Sequence, residues 1–311
     1  MRVTANTFPN SLVDQLNLLA GRQNRLQSEA ATGQRIQLPE DDPAAMRRVL
    51  DLQTEGAALG QYRRNVAIVR ERAQATYGVL TELKKISDRA GELATLADGT
   101  KSPDDLKLYA AEVSQLLKRA VQLSNTKFRG DYLLSGTLSD QAPFTSAEDA
   151  DGNVTGVTYN GNQATADVEI AEGVTVTGQI VGANASGGGP RGLLVDSRFG
   201  ADFFAHLISL QNHLLAGDAN AIATTDRPQL ANDEQNLLVH VSSNGVLQAR
   251  LEATEANAAK RAESLETLVS KETDADLPQV LVRLNQTQTA YQAALQSGAR
   301  LLNTSLLDYI R

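Results

Sequence analysis

Three histidines, two adjacent aspartates and a run of glycines are the groups in this 311-residue chain that could do chemistry. His206 and His213 stand seven positions apart, so one helix could carry both on the same face. Seven positions is two turns, too far for one metal ion, and no third ligand lies nearby in sequence. Asp41-Asp42 could serve as catalytic or Ca²⁺-binding carboxylates. The following Pro43 favours another role, in which Asp42 accepts from free N–H groups at a helix start and Pro43 takes the first helical position, where no N–H is needed. Asp41, Asp42 and Pro43 are therefore read as a helix cap and hinge. Gly187-Gly188-Gly189 lacks the Lys-Ser/Thr of a phosphate loop. The absence of Cys excludes disulfides and thiol chemistry, and Ser, His and Asp form no triad without arbitrary choice. The expectation is a protein with no catalytic residue, metal site or cofactor, and so not an enzyme.

The elements that carry these groups are mostly helical. At the C-terminal end, Leu277, Leu281, Leu284, Gln288, Tyr291, Leu295, Gly298 and Leu302 follow alternating steps of four and three, with Leu306 and Tyr309 one stutter later. A matching seam near the start comprises Leu12, Leu16, Leu19, Gln23, Leu26, Ala30 and Gly33. Seams this narrow belong to coiled-coil packing. Only four charged residues occur in 277–311, although 21% of the whole chain is charged. The outer faces are filled instead with Gln, Ala and Ser, such as Gln286, Gln292, Ala293 and Ser297. Small neutral residues suit a helix that neighbouring copies will cover, so Leu12, Leu16, Leu19, Leu26, Leu281, Leu284, Tyr291, Leu295, Leu302 and Leu306 are the candidate polymer interface.

Between these ends, residues 44–97 keep the three-four rhythm, which predicts a helix about 80 Å long. Asp98 to Pro103 is a turn, with Ser102 capping the next helix, and 10–32 and 228–271 read as further helices. From 141 to 192 the texture changes: Val157-Thr158-Tyr159, Val168-Glu169-Ile170 and Val174 to Thr177 read as strands, closed by a flexible Ser186 to Pro190 run. The fold class expected is mainly α: an elongated, coiled-coil-like helical bundle with paired N- and C-terminal helices and a small β-rich insertion. Three domains are expected: 1–42 plus 277–311 as a terminal axial core, 43–140 plus 193–276 as a helical bundle, and 141–192 as a dispensable outer insertion.

The net charge of −8 argues against nucleic-acid binding. Residues 1–40 and 277–311 together carry +3, so the acidic excess belongs to the middle. No apolar run is long enough to span a membrane, and the first residues lack the apolar core of a cleaved secretory signal.

Several stretches carry a family resemblance. Ala31-Thr32-Gly33-Gln34-Arg35 followed by Pro39 to Ala45, Asn125 to Thr137, and Tyr291 to Leu295 with Leu302 to Tyr309 resemble the corresponding segments of the flagellin superfamily, as does the start Met1-Arg2-Val3-Thr4 with Asn6. Pro43 after the paired Asp and the ending Leu307-Asp308-Tyr309-Ile310-Arg311 resemble the hook-filament junction (hook-associated) branch more than filament flagellin, which remains the alternative; a coiled-coil scaffold or signalling protein is a more distant one. Leu134 departs from the family, where Phe is frequent. The resemblance implies a structural adaptor of the bacterial flagellum, exported to the cell exterior by the type III route. Its implied partners are a hook-associated junction protein on the hook side, flagellin on the filament side, further copies of itself in a ring, and an export chaperone at the C-terminal helix.

Overall fold

The computed structural model describes residues 7–309, with side chains from 11 to 300. In chain order, α1 (Thr7–Thr32), α2 (Pro43–Leu96) and α3 (Pro103–Ser124) lead into strands β1 (Lys127–Phe128), β2 (Asp131–Tyr132), β3 (Phe144–Glu148), β4 (Val154–Tyr159), β5 (Asp167–Ala171), β6 (Val174–Thr177), β7 (Val181–Asn184), β8 (Gly192–Asp196) and β9 (Ala201–Asp202). Helices return with α4 (Phe203–Ala216), a three-residue turn α5 (Ala219–Ala221), a π-helical turn over Ile222–Asp226, α6 (Arg227–Thr273) and α7 (Leu277–Tyr309). Among the described residues no helix is long and apolar enough to cross a membrane.

The chain forms two compact units, residues 1–58 with 260–311 and residues 59–259. The expected boundaries at 42/43 and 276/277 coincide with the breaks α1/α2 and α6/α7, whereas the units divide within α2 and α6. The physical reason is that the start of α2 and the end of α6 are tied to each other inside the first unit. Arg48 grips Glu272 with Nη2 at 2.8 Å, and Arg261 Nη2 lies 2.6 Å from Glu55.

In the second unit one apolar cluster joins Leu83 and Leu93 of α2, Val113 and Leu117 of α3, Leu193 and Leu194 of β8, and Leu207 and Leu210 of α4. Each fully buried leucine contributes about 1.5–3 kcal/mol relative to exposure. The turn into α3 closes with a capping box, Ser102 accepting from Asp105 N while the Asp105 carboxylate takes Ser102 N. Gly217 ends α4 at φ +72°.

The strands are four small sheets: antiparallel pairs β1–β2, β3–β4 and β5–β6, and a three-stranded sheet in the order β7–β8–β9. Strand-bearing chain thus extends on both sides of the expected 141–192. Within that range β7 escapes the sequence reading, because its fully buried Val-Gly-Ala-Asn run shows no alternation. Phe144 and Val154 belong to the main cluster, and Ile170 and Val176 pack with Val66, Val69 and Leu251. The expectation of a dispensable insertion is therefore corrected: deleting it would open the core of this unit. The Ser186 to Pro190 run is also bound down, since Asn184 Nδ2 donates to Gly188 O and Pro190 O, both at 2.6 Å. At Gly136 the backbone has φ +69°, and a Cβ would meet Asn162 O at 2.5 Å and Ala164 O at 2.9 Å, so no other residue fits there.

Candidate assembly interface

Two crossing segments hold the terminal helices. Gly33 ends α1 at φ +72°, and its C=O accepts from Ala275 N at 2.8 Å, while Arg35 N donates to Thr273 O at 2.7 Å. The connection α1–α2 and the connection α6–α7 therefore run side by side as a short antiparallel bridge, Gln34 opposite Asp274. Asp42 Oδ1 accepts from Ala45 N at 3.0 Å, with Pro43 opening α2. Asp41 Oδ2 takes Gln37 N and Leu38 N, both at 3.0 Å, and closes the preceding turn. Backbone N–H groups hold both carboxyls below the usual carboxylate range: those of Leu38 and Gln37 for Asp41, helped by Arg25, and that of Ala45 for Asp42, helped by Arg35.

From this bridge α1 and α7 pack against each other. Leu12, Leu16, Leu19 and Leu26 are half-buried along α1. The buried or half-buried stripe of α7 is Val280, Leu284, Thr287, Gln288, Tyr291, Ala294 and Gly298. Leu277, Leu281 and Leu295, expected on the same seam, are 42%, 51% and 45% exposed. The expected seam thus fails at three positions, and at two of them the inward residue is one place earlier, Val280 and Ala294. The reason is the close approach of α1, so tight at Gly298 that a Cβ there would lie 2.6 Å from Leu12 Cδ2. Leu302 and Leu306 lie outside the residues whose side chains are described. Val13 and Leu18 of α1, and Val282 of α7, are further large apolar residues more than 40% exposed.

The histidines belong to the second unit. His206 Nδ1 lies 2.7 Å from Asp233 Oδ2, and His213 Nδ1 lies 2.7 Å from Asp226 Oδ2. The partners repeat the spacing of seven, so two ladder rungs link α4 to the π turn and α6. Asp233 also accepts from Asp202 N at 2.9 Å, and Asp226 from Ser209 Oγ at 2.7 Å. Sequence reading found the histidines but not these aspartates, because nothing local in Asp226 or Asp233 signals burial. Among the described residues no group of three or more His, Asp or Glu side chains is placed to hold a metal ion.

Burial alone would discharge His206, but its hydrogen bond to and the charge of Asp233 outweigh it and raise the histidine above its ordinary pKa. His240 is the opposite case. Burial drives it down to about 4, with Nε2 3.2 Å from Gly192 O. A histidine depressed on folding contributes stability above its unfolded pKa near 6.5, lost as pH falls from there toward 4. The cost of that fall is on the order of 3 kcal/mol. Urea denaturation at pH 7 and pH 4.5 should show this loss in the native chain and a smaller loss in His240→Gln.

Residues 5–139 match the bacterial flagellin N-terminal helical region. No curated protein matches the chain in sequence. Its fold is that of solved flagellar hook-associated proteins. One from Vibrio parahaemolyticus is 18% identical with a TM-score of 0.63, covering 75% of this chain and 100% of that one. Hook-associated protein 3 of Legionella pneumophila is 14% identical (TM-score 0.58, 71% of this chain and 97% of that one). FlgL of Bacillus cereus is 19% identical (TM-score 0.52, 71% and 99%).

Proposed function

We propose that this chain is a structural adaptor at the junction of flagellar hook and filament, acting outside the cell and without catalysis. The observation that carries the reading is the terminal helix pair. It closes on itself along the stripe from Val280 to Gly298 while leaving Leu18, Leu281 and Leu295 about half exposed on helices with few charges. Exposed apolar surface of this kind marks an interaction site. In the reading, copies of the chain form a ring by burying these faces. A hook-associated junction protein lies on one side of the ring and flagellin on the other. The unfolded chain reaches that place through the type III route, its C-terminal helix covered beforehand by an export chaperone.

Gold-labelled antibody against the chain, applied to detached flagella, should mark one narrow band between hook and filament. Deleting the gene should leave hooks without filaments and flagellin free in the medium. Label spread along the filament would identify a filament subunit instead, and label absent from flagella would refute the reading.

A further inference from the structure

The base of the terminal helix pair holds a cleft of about 510 Å³ lined by four arginines, Arg22, Arg25, Arg35 and Arg283. Its floor includes Leu26 and Val280. The two acids in its wall are already engaged. Glu29 accepts from Arg25 at 3.1 Å, and Asp276 caps α7 by taking Gln279 N at 3.2 Å. Arg25 also reaches Asp41 at 3.2 Å, and Arg35 donates to Glu272 O at 2.8 Å and lies 3.7 Å from Asp42 Oδ2. Arg283 has only a long bond to Gln279 Oε1 at 3.4 Å. Among the described residues neither Arg22 nor Arg283 has a carboxylate partner. A cluster of guanidinium groups in a chain of net charge −8 is a local reversal of sign. Guanidinium groups beside apolar side chains match carboxylates carried on a peptide.

We infer that this cleft receives an acidic segment of a second copy of the chain. The charge distribution favours that occupant, since residues 1–40 and 277–311 together carry +3 and the remainder of every copy is correspondingly acidic. The contact would fix the register between neighbours, because electrostatic complementarity selects orientation more than it adds affinity. Apolar faces alone would let neighbouring copies slide. The inference rests on the assembly reading above and adds which surface sets the alignment.

The test places a photo-crosslinking amino acid at Gln279, in the cleft wall, in cells whose flagella are then irradiated and purified. The expected product is a dimer of this chain, with the crosslinked peptide mapping to an acidic stretch within 41–276. Arg22→Glu with Arg283→Glu should reduce its yield by about tenfold or more. If that variant is not incorporated, the yield from otherwise native flagella should instead fall as NaCl is raised from 50 to 500 mM before irradiation. An adduct with a different protein, no adduct, or a dimer indifferent to both charge reversal and salt would overturn the inference while leaving the assembly reading standing. Absence of the chain from the purified flagella would overturn that reading, and the inference with it.

Discussion

Leu281→Asp with Leu295→Asp is expected to leave the isolated chain folded and to abolish its assembly. Both side chains are about half exposed, and neither belongs to the stripe that α7 turns inward. Surface substitutions outside caps and cores usually change stability by about 0.5 kcal/mol or less, with a few tenths more for the poorer helix propensity of Asp. The thermal transition should therefore move by only a few degrees. In the assembled state the same positions would be covered. Each lost leucine then forfeits about 1.5–3 kcal/mol, and an unpaired buried carboxylate adds several more. If the chain assembles as proposed, the loss would recur in every subunit and leave no stable contact. Export of the variant should continue, and secreted flagellin should accumulate while filaments are missing. Filaments of normal length from cells carrying only the exported double variant would show that α7 does not make the polymer contact.

Asp233→Ala should be the most damaging single change in the second unit. Asp233 is buried beside His206 at 2.7 Å and also fixes Asp202 N at the start of α4. Removing one partner of a buried pair leaves the other without compensation and costs about 3–5 kcal/mol. For a chain of this size that is on the order of 10 °C in the melting temperature. The effect has a pH signature. His206 is raised on folding, so its contribution is fully present below the unfolded pKa near 6.5 and is lost as pH rises through the higher folded value. The gap between native chain and variant should be widest at pH 6 and narrow toward pH 9. Burial works against ionised Asp233 and raises its pKa, so the pair is favourable only while His206 holds a proton to meet it. Calorimetric melts at several pH values measure both features; a gap that does not change with pH would mean that Asp233 acts only by capping α4.

Local chemistry made much of the fold legible. Ser102-Pro103-Asp104-Asp105 encodes its own helix start, Gly33 its own stop, and Glu172-Gly173 its own turn, with Gly173 at φ +67°. Such signals depend on one residue's φ preference or on a side chain reaching its neighbour's N–H, so they need no distant partner. The three-four rhythm located the long helices for the same reason. What a helix packs against is a different kind of fact. On α7 two apolar columns share Leu284, Tyr291 and Gly298, and leucine-counting selects the column with Leu281 and Leu295. Only the approach of α1, close enough that Gly298 must lack a Cβ beside Leu12, decides for Val280, Thr287 and Ala294. Likewise His206 and His213 were visible as a pair seven apart, but Asp226 and Asp233 became their partners through the fold, the π turn carrying Asp226 on the approach to α6. The insertion looked separable because Gly, Asn and Pro dominate its turns, yet Phe144 and Val154 are committed to the core shared with α3 and α4. Sequence by itself determined where helices begin, end and present apolar residues, since those depend on neighbours along the chain. Tertiary structure alone decided which apolar face is spent inside the molecule and which remains exposed, because burial depends on distances between segments far apart in sequence.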